Sequence, residues 1–255
     1  MKDYILDSLA AGSDEAVSRR GALRKLEHAG LGLLAAAVPS VLANAAGAAT
    51  RSPSRVARTQ TVTDVLNFAL KLEYLENEFY LMGLAASGLI PSGDRVIFQQ
   101  ISAHETAHVA LLKGALGGSA IVKPTFDFTA GGAFSDVFTN YITFKALSQG
   151  FEDTGVRAYK GQAVNLKSDG ATLTIALQIH SVEARHASQV RRLRGQKGWI
   201  TSNNTDVSAL AAVYAGEDNH VQGGVDVGST SAATEAFDEP LTMVQVLAIA
   251  GPFIV

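Results

Sequence analysis

The sequence predicts an all-α protein: a four-helix bundle made of two helical hairpins joined by a long crossover, with a partly irregular C-terminal tail. Three observations predict it. From about residue 61 to residue 194, apolar residues recur at three- and four-residue steps in long runs. Gly and Pro punctuate those runs at Gly88, Pro91 and Gly117-Gly118, where a helix is expected to stop. The runs also repeat one arrangement of polar residues, so the region reads as two matching halves.

The chain has 255 residues, is 47% hydrophobic and carries a formal charge of −3, enough for one substantial domain with an appendage. Charges are mixed along it, and no basic run exceeds Arg191-Arg192-Leu193-Arg194, so no nucleic-acid partner is expected. Cysteine is absent, which excludes disulfides, thiolate nucleophiles and Cys-based metal sites. Any metal must be held by carboxylate and imidazole.

Residues 1–48 differ from the rest. Ser18-Arg19-Arg20-Gly21-Ala22-Leu23-Arg24 precedes a mildly apolar stretch, Ala29 to Thr50, with small-residue cleavage sites such as Ala43-Asn44-Ala45. The order resembles a twin-arginine export signal and implies an exported, periplasmic or extracellular protein. An amphipathic N-terminal helix is the competing reading. No stable membrane anchor is expected, because Ala, Gly, Pro39, Ser40 and Asn44 insert poorly. Residues 49–61 read as a flexible leader.

The bundle is assigned to residues 62–195. The first helix is expected from Thr63, as N-cap, to Ala86, with Val62, Val65, Leu66, Ala69, Leu72, Leu75 and Phe79 inward. The second runs from Gly93 to Leu116, supported by Val96, Ile97, Ile101, Val109, Leu111 and Leu112. Residues 118–134, with Pro124 and Gly131-Gly132, form the crossover; the third helix spans Ser135 to Leu166 and the fourth Gly170 to Arg194. The tail, 196–255, offers short helices at Ser208–Ala215 and Leu241–Ala250 and is expected to pack along the outside of the bundle.

The polar repeat carries the chemistry. The first helix has Glu73 with Tyr80 seven positions on, and the third has Glu152 with Tyr159 seven on. The second has Glu105-x-x-His108 and the fourth Glu183-x-x-His186. Residues three, four or seven apart share a helix face, so all six Glu and His side chains can point into the core at one depth. One Glu from each of two helices and a Glu-x-x-His from each of the others is the known recipe for a carboxylate-bridged di-metal site. Four ionised carboxylates in a dry core need compensation, and two divalent ions supply it. Oxygen and imidazole donors suit two Fe or two Mn ions, with zinc as a further candidate. A single Glu-x-x-His is a weak signal; two, each matched with Glu-x6-Tyr, are a strong one.

The neighbours read less sharply. Glu76 lies near the face of Glu73 and is either an alternative ligand or a supporting group; Glu73 is favoured because it has the Tyr spacing. Glu78 and Asp153 read as solvent-facing, His104 and His180 as surface or supporting residues, and Gln178 and Arg185 as candidate partners of the carboxylates. Tyr80 and Tyr159 read either as core aromatics or as catalytic groups that donate a hydrogen bond or an electron beside the metals. His28 and His220 receive no role.

At Leu66–Tyr80 (LNFALKLEYLENEFY), HETAHVALL and VEARH, the chain resembles the exported bacterial ferritin-like domain proteins, among them those described as desiccation-related. The resemblance implies a ferritin-like bundle with the six ligands named above. Two functions follow as expectations. One is an oxidoreductase acting on dioxygen or peroxide, ferroxidase-like or manganese-catalase-like; the other is a non-enzymatic stress protein of the envelope whose metals only stabilise the bundle. A homo-oligomer is compatible with either.

Overall fold

A computed structural model describes residues 60–255, so the expected export signal and nearly all of the leader lie outside the described residues. Four long helices form the body: α1 (Val62–Ala85), α2 (Ser92–Leu116), α3 (Tyr141–Gln162) and α4 (Gly170–Leu193). α1 packs on α2 and α3, and α4 packs on α3 and α2. The result is the all-α bundle of two hairpins with a long crossover.

Local chemistry sets each boundary. The N-cap of α1 is Thr61, two residues before the expected Thr63, because Thr61 forms a capping box: its hydroxyl accepts from the Asp64 N–H, and the Asp64 carboxylate accepts from the Thr61 N–H at 3.0 Å. α2 buries Phe98, Ile101, Glu105, His108, Leu112 and Leu116, a single stripe at helical spacing. Val96 and Leu111, expected as apolar support, lie off that stripe and are exposed. α3 begins at Tyr141 rather than Ser135, because Asn140 caps it by accepting from the Ile142 N–H at 3.0 Å. Ser135 to Thr139, expected as helix, form turns instead, from which Val137 is buried. After Gln162 the chain tightens into a 3-10 turn, Ala163–Leu166.

Two hydrophobic clusters lie one at each end of the polar repeat, and a third joins Phe68, Leu72 and Ala158 to Leu241, Val246 and Ala250. The first is aromatic: Phe79 stacks on Phe144 at 4.8 Å between ring centroids, and Phe98, Phe128 and Phe151 pack around them. Gly83 on α1 makes room for it, since a β-carbon there would overlap the Phe144 ring. The second, at the α1 N-terminal end, is aliphatic and includes Val65, Leu66, Leu70, Leu112 and Ala176.

The tail does more than cover the surface. A 3-10 segment (Ser208–Tyr214) buries Leu210, Val213 and Tyr214; a two-residue hairpin, β1 (Val221–Gln222) and β2 (Val225–Asp226), follows with Val221 opposite Asp226. After the short α5 (Ser231–Thr234), α6 (Met243–Ala250) buries Val246 and Ala250, and Phe253 joins the aromatic cluster. The chain end pairs with the crossover through Phe126 and Ile254. Gly161 on α3 lets the tail backbone come close, since a β-carbon there would overlap the Leu241 carbonyl.

Arg157 of α3 ties the tail down. Its buried guanidinium donates to the carbonyls of Val213, Ala215 and Glu239 and pairs with buried Glu217 at 2.8 Å. Four separate acceptors on tail segments converge on one cation, so the tail cannot lift without stranding it. Arg157→Ala leaves Glu217 buried without its cation and is expected to cost about 3–5 kcal/mol. Chemical denaturation reads the loss, and limited proteolysis should then cut first beyond residue 195; an unchanged midpoint would refute this account of the tail.

Candidate metal centre

The polar repeat meets between the two clusters. Glu73, Glu105, Glu152 and Glu183 are fully buried, and His108 and His186 nearly so. One donor atom from each of Glu73, Glu105, His108 and Glu183 lies within 4.8 Å of the others, and the same holds for Glu105, Glu152, Glu183 and His186. All six residues expected from the sequence are therefore brought together, in two overlapping groups that share Glu105 and Glu183.

The shared carboxylates face both ways. Glu105 sets one oxygen 3.2 Å from His108 Nδ1 and the other 2.9 Å from His186 Nδ1. Glu183 sets its two oxygens 3.1 Å from His108 Nδ1 and 4.0 Å from His186 Nδ1. Glu73 stands only with His108, at 3.1 Å, and Glu152 only with His186, at 3.2 Å. Two carboxylates thus straddle the groups and one closes each end.

Each tyrosine crosses between halves. The Tyr80 hydroxyl donates to Glu152 at 2.5 Å, and the Tyr159 hydroxyl donates to Glu73 at 2.5 Å. Residue 80 beside 152 and 159 beside 73 requires α1 and α3 to run antiparallel, which the long crossover permits. Burial and the adjacent carboxylates push both phenols well above their ordinary value, so they stay protonated and donate. They touch carboxylates of the cluster, which makes them positioning residues.

The electrostatics are those of a site short of positive charge. Burial raises Glu73 to about 8, and raises Glu183 well above the carboxylate range with help from Glu105 and Glu73. Burial opposes ionisation of Glu105 too, but hydrogen bonds from His108 and His186 hold it at about 2. Both imidazoles are raised despite burial, His108 to about 12 by Glu105, Glu183 and Glu73, and His186 to about 11 by Glu152 and Glu105. Five buried atoms, Glu105 Oε1, Glu152 Oε2, both Glu183 oxygens and His186 Nδ1, make no hydrogen bond of proper geometry among the described residues. Buried polar atoms are rarely left so. A carboxylate and imidazole donor set with orphaned atoms converging on two points fits a pair of divalent cations.

Several neighbours depart from expectation. Glu76 is buried at 2% exposure, and burial together with Glu183, Glu105, Glu152 and Glu73 raises it well above its ordinary value. It lies within one residue of the midpoint of the α1–α3 pairing, where α3 has Gly155. A β-carbon at 155 would stand 3.2 Å from Glu76 Oε1 and 3.2 Å from Glu183 Oε2. Asp153, expected at the surface, is buried: Arg191 donates to it at 2.5 Å and Tyr214 at 2.8 Å. Its helix position gave no hint, because one partner comes from the tail. His104 Nδ1 lies 2.8 Å from His186 Nε2, the rings stack, and Gln100 holds its other nitrogen at 2.7 Å. That chain fixes the His186 ring. Gln178 and Arg185 are exposed, so neither supports the carboxylates. His180 is half-buried with Nε2 unpaired, and Glu78 pairs with Lys123 near the surface.

Among the described residues, no helix is long and apolar enough to cross a membrane. No curated protein matches the chain. The family described as "Ferritin-like domain" matches residues 61–196, more than half of the chain, and that span holds all four long helices and every residue of the centre. With two antiparallel hairpins around a buried Glu and His core, the chain belongs to the ferritin-like domain family.

Proposed function

We propose that the centre binds two Fe or two Mn ions and carries out redox chemistry on dioxygen or hydrogen peroxide, in the manner of a ferroxidase or a manganese catalase. The observation that carries this reading is the division of labour among the carboxylates. Glu105 and Glu183 each aim one oxygen at each histidine, as bridges between two cations must, while Glu73 and Glu152 serve one side each.

Glu73 and His108 would hold one ion, Glu152 and His186 the other, with Glu105 and Glu183 across both. Two such ions, each changing by one unit, would supply two electrons, enough to reduce dioxygen with two protons to hydrogen peroxide, or peroxide with two protons to two waters. The chain's own part is to orient and to exclude water. Tyr80 and Tyr159 lock the end carboxylates, Gln100 and His104 lock His186, and the aromatic cluster seals one end of the core. Glu76, whose carboxyl is pushed above its ordinary range by burial and then by the neighbouring carboxylates, stands beside the cluster. The complete burial of the four carboxylates also favours a second reading, in which the ions only staple the bundle. Stopped-flow mixing of metallated protein with oxidant separates the two, since a staple consumes no oxidant faster than the free ions do.

Protein expressed in metal-rich medium should hold about two equivalents of Fe or Mn per chain. Elemental analysis well under half an equivalent would sink the di-metal reading. Glu105→Ala or Glu183→Ala should cost at least one of the ions, whereas Glu78→Ala, at the surface pair with Lys123, should leave the content unchanged.

Metal uptake should depend on pH with a definite sign. Glu73, Glu183, His108 and His186 are all raised, so at neutral pH the metal-free centre holds protons that incoming ions must displace. Apparent affinity should rise between about pH 6 and pH 8, with protons released into weakly buffered solution. Calorimetry in buffers of different ionisation enthalpy counts them; affinity falling with pH would contradict the assignment.

The export route belongs to the same proposal and rests on Ser18-Arg19-Arg20 and the apolar stretch after it. Replacing Arg19-Arg20 by Lys-Lys should retain the protein in the cytoplasm, and undiminished export on fractionation would exclude that route.

A further inference from the structure

The two ends of the bundle core differ, and the internal repeat shows where. Glu73 and Glu152, like Tyr80 and Tyr159, stand 79 positions apart; Glu105 and Glu183, like His108 and His186, stand 78 apart. The same offsets map the core of one end onto the other. At the Tyr80 end, Phe79, Phe144, Phe151 and Phe98 fill the space beyond the cluster with rings in contact. Their counterparts at the Tyr159 end are Ala158, Val65, Leu72 and Ala176. Four phenylalanines on one side correspond to two alanines, a valine and a leucine on the other.

The smaller side chains leave a gap. All four of these residues, with Tyr159 and Leu112, line a cavity of about 10 Å³, just enough for the centre of one water-sized molecule. Its walls are hydrocarbon apart from Tyr159 and Gln162. Such a space does not hold water, which needs two to four polar partners, but it accepts apolar gases. It also adjoins the centre. Leu112 is one turn from His108, Leu72 is next to Glu73, and the hydroxyl of Tyr159 rests on Glu73.

We infer that this cavity is a holding site for dioxygen, which reaches the centre from the aliphatic end of the core. The inference rests on the di-metal reading and narrows its oxidant. Dioxygen is apolar and partitions into a dry space; hydrogen peroxide is polar and gains nothing there. Peroxide is favoured instead on the polar side of the cluster, where half-buried His104 stands 2.8 Å from His186 Nε2. Held by Glu73, Glu105, His108, Glu152, Glu183 and His186, two Fe(II) ions would supply the two electrons, and solvent the two protons, that turn one dioxygen into hydrogen peroxide.

Two measurements test it. The first needs no metal: crystals of the protein held under xenon should show xenon beside Ala158, Ala176 and Tyr159, and its absence from that position overturns the inference. The second uses ferrous-loaded protein in stopped flow. Ala176→Val fills the cavity with two extra carbons, and it should abolish the xenon site and slow oxidation by dioxygen on the order of tenfold. Oxidation by peroxide and the Fe(II) stoichiometry should not change. Where that variant folds poorly, xenon pressure on the wild-type protein is the substitute, slowing the dioxygen reaction and sparing the peroxide one. Equal slowing of both oxidants, or of neither while xenon is bound, makes the cavity a packing gap only and overturns the inference. The Fe(II) titration stands apart: protein that takes up xenon but binds no Fe(II) rejects the di-metal reading, and the dioxygen role with it.

Discussion

Buried carboxylates govern this structure. Glu73, Glu76, Glu105, Glu152 and Glu183 are all removed from water in the middle of the bundle. Charges in such a medium are tolerated only when compensated, because desolvation costs several kcal/mol for each ion. With protons alone the compensation is awkward: the imidazoles hold theirs far above the usual range, and several oxygens find no donor. Two divalent cations would relieve all of these at once. The surrounding features follow from that need, from the antiparallel pairing of α1 and α3 to the tyrosines that cross it.

The rigid shell around the cluster comes from both ends of the chain's order. Aromatic packing locks the Tyr80 end, while the tail is anchored to α3 by Arg157 and by backbone contact at Gly161. α3 also supplies Glu152 and Tyr159, so the segment that holds the tail is the one that orients half of the centre. Asp153, next to Glu152, is gripped by Arg191 of α4 and Tyr214 of the tail, which fixes the rotation of α3 about its own axis.

Much of this was legible in the sequence, for a physical reason. Ligands on helices obey helical spacing, so Glu-x-x-His and Glu-x6-Tyr reveal a shared face before any fold is known. The same reasoning placed α4 almost to the residue, because Asp169 caps it and the periodic stripe is clean. It failed where partners are distant. Asp153 reads as a surface acid because Arg191 and Tyr214 lie 38 and 61 positions away. Glu76 was left open because its face is shared with Glu73 and only the glycine opposite decides that it fits inside. The expected start of α3 at Ser135 falls six residues early, because the chain makes turns up to the Asn140 cap.

The meeting of Glu76 with Gly155 has an evolutionary and a design consequence. The repeat offset makes residue 155 the counterpart of residue 76, so the two halves differ at their point of closest approach. A dimer of two identical first hairpins would set two glutamates face to face there, with no room and no countercharge. A dimer of two identical second hairpins would leave a hole lined by carboxylates. Either way the hairpins are not interchangeable: with both in one chain, a single acid occupies a place that perfect symmetry must fill twice or leave empty.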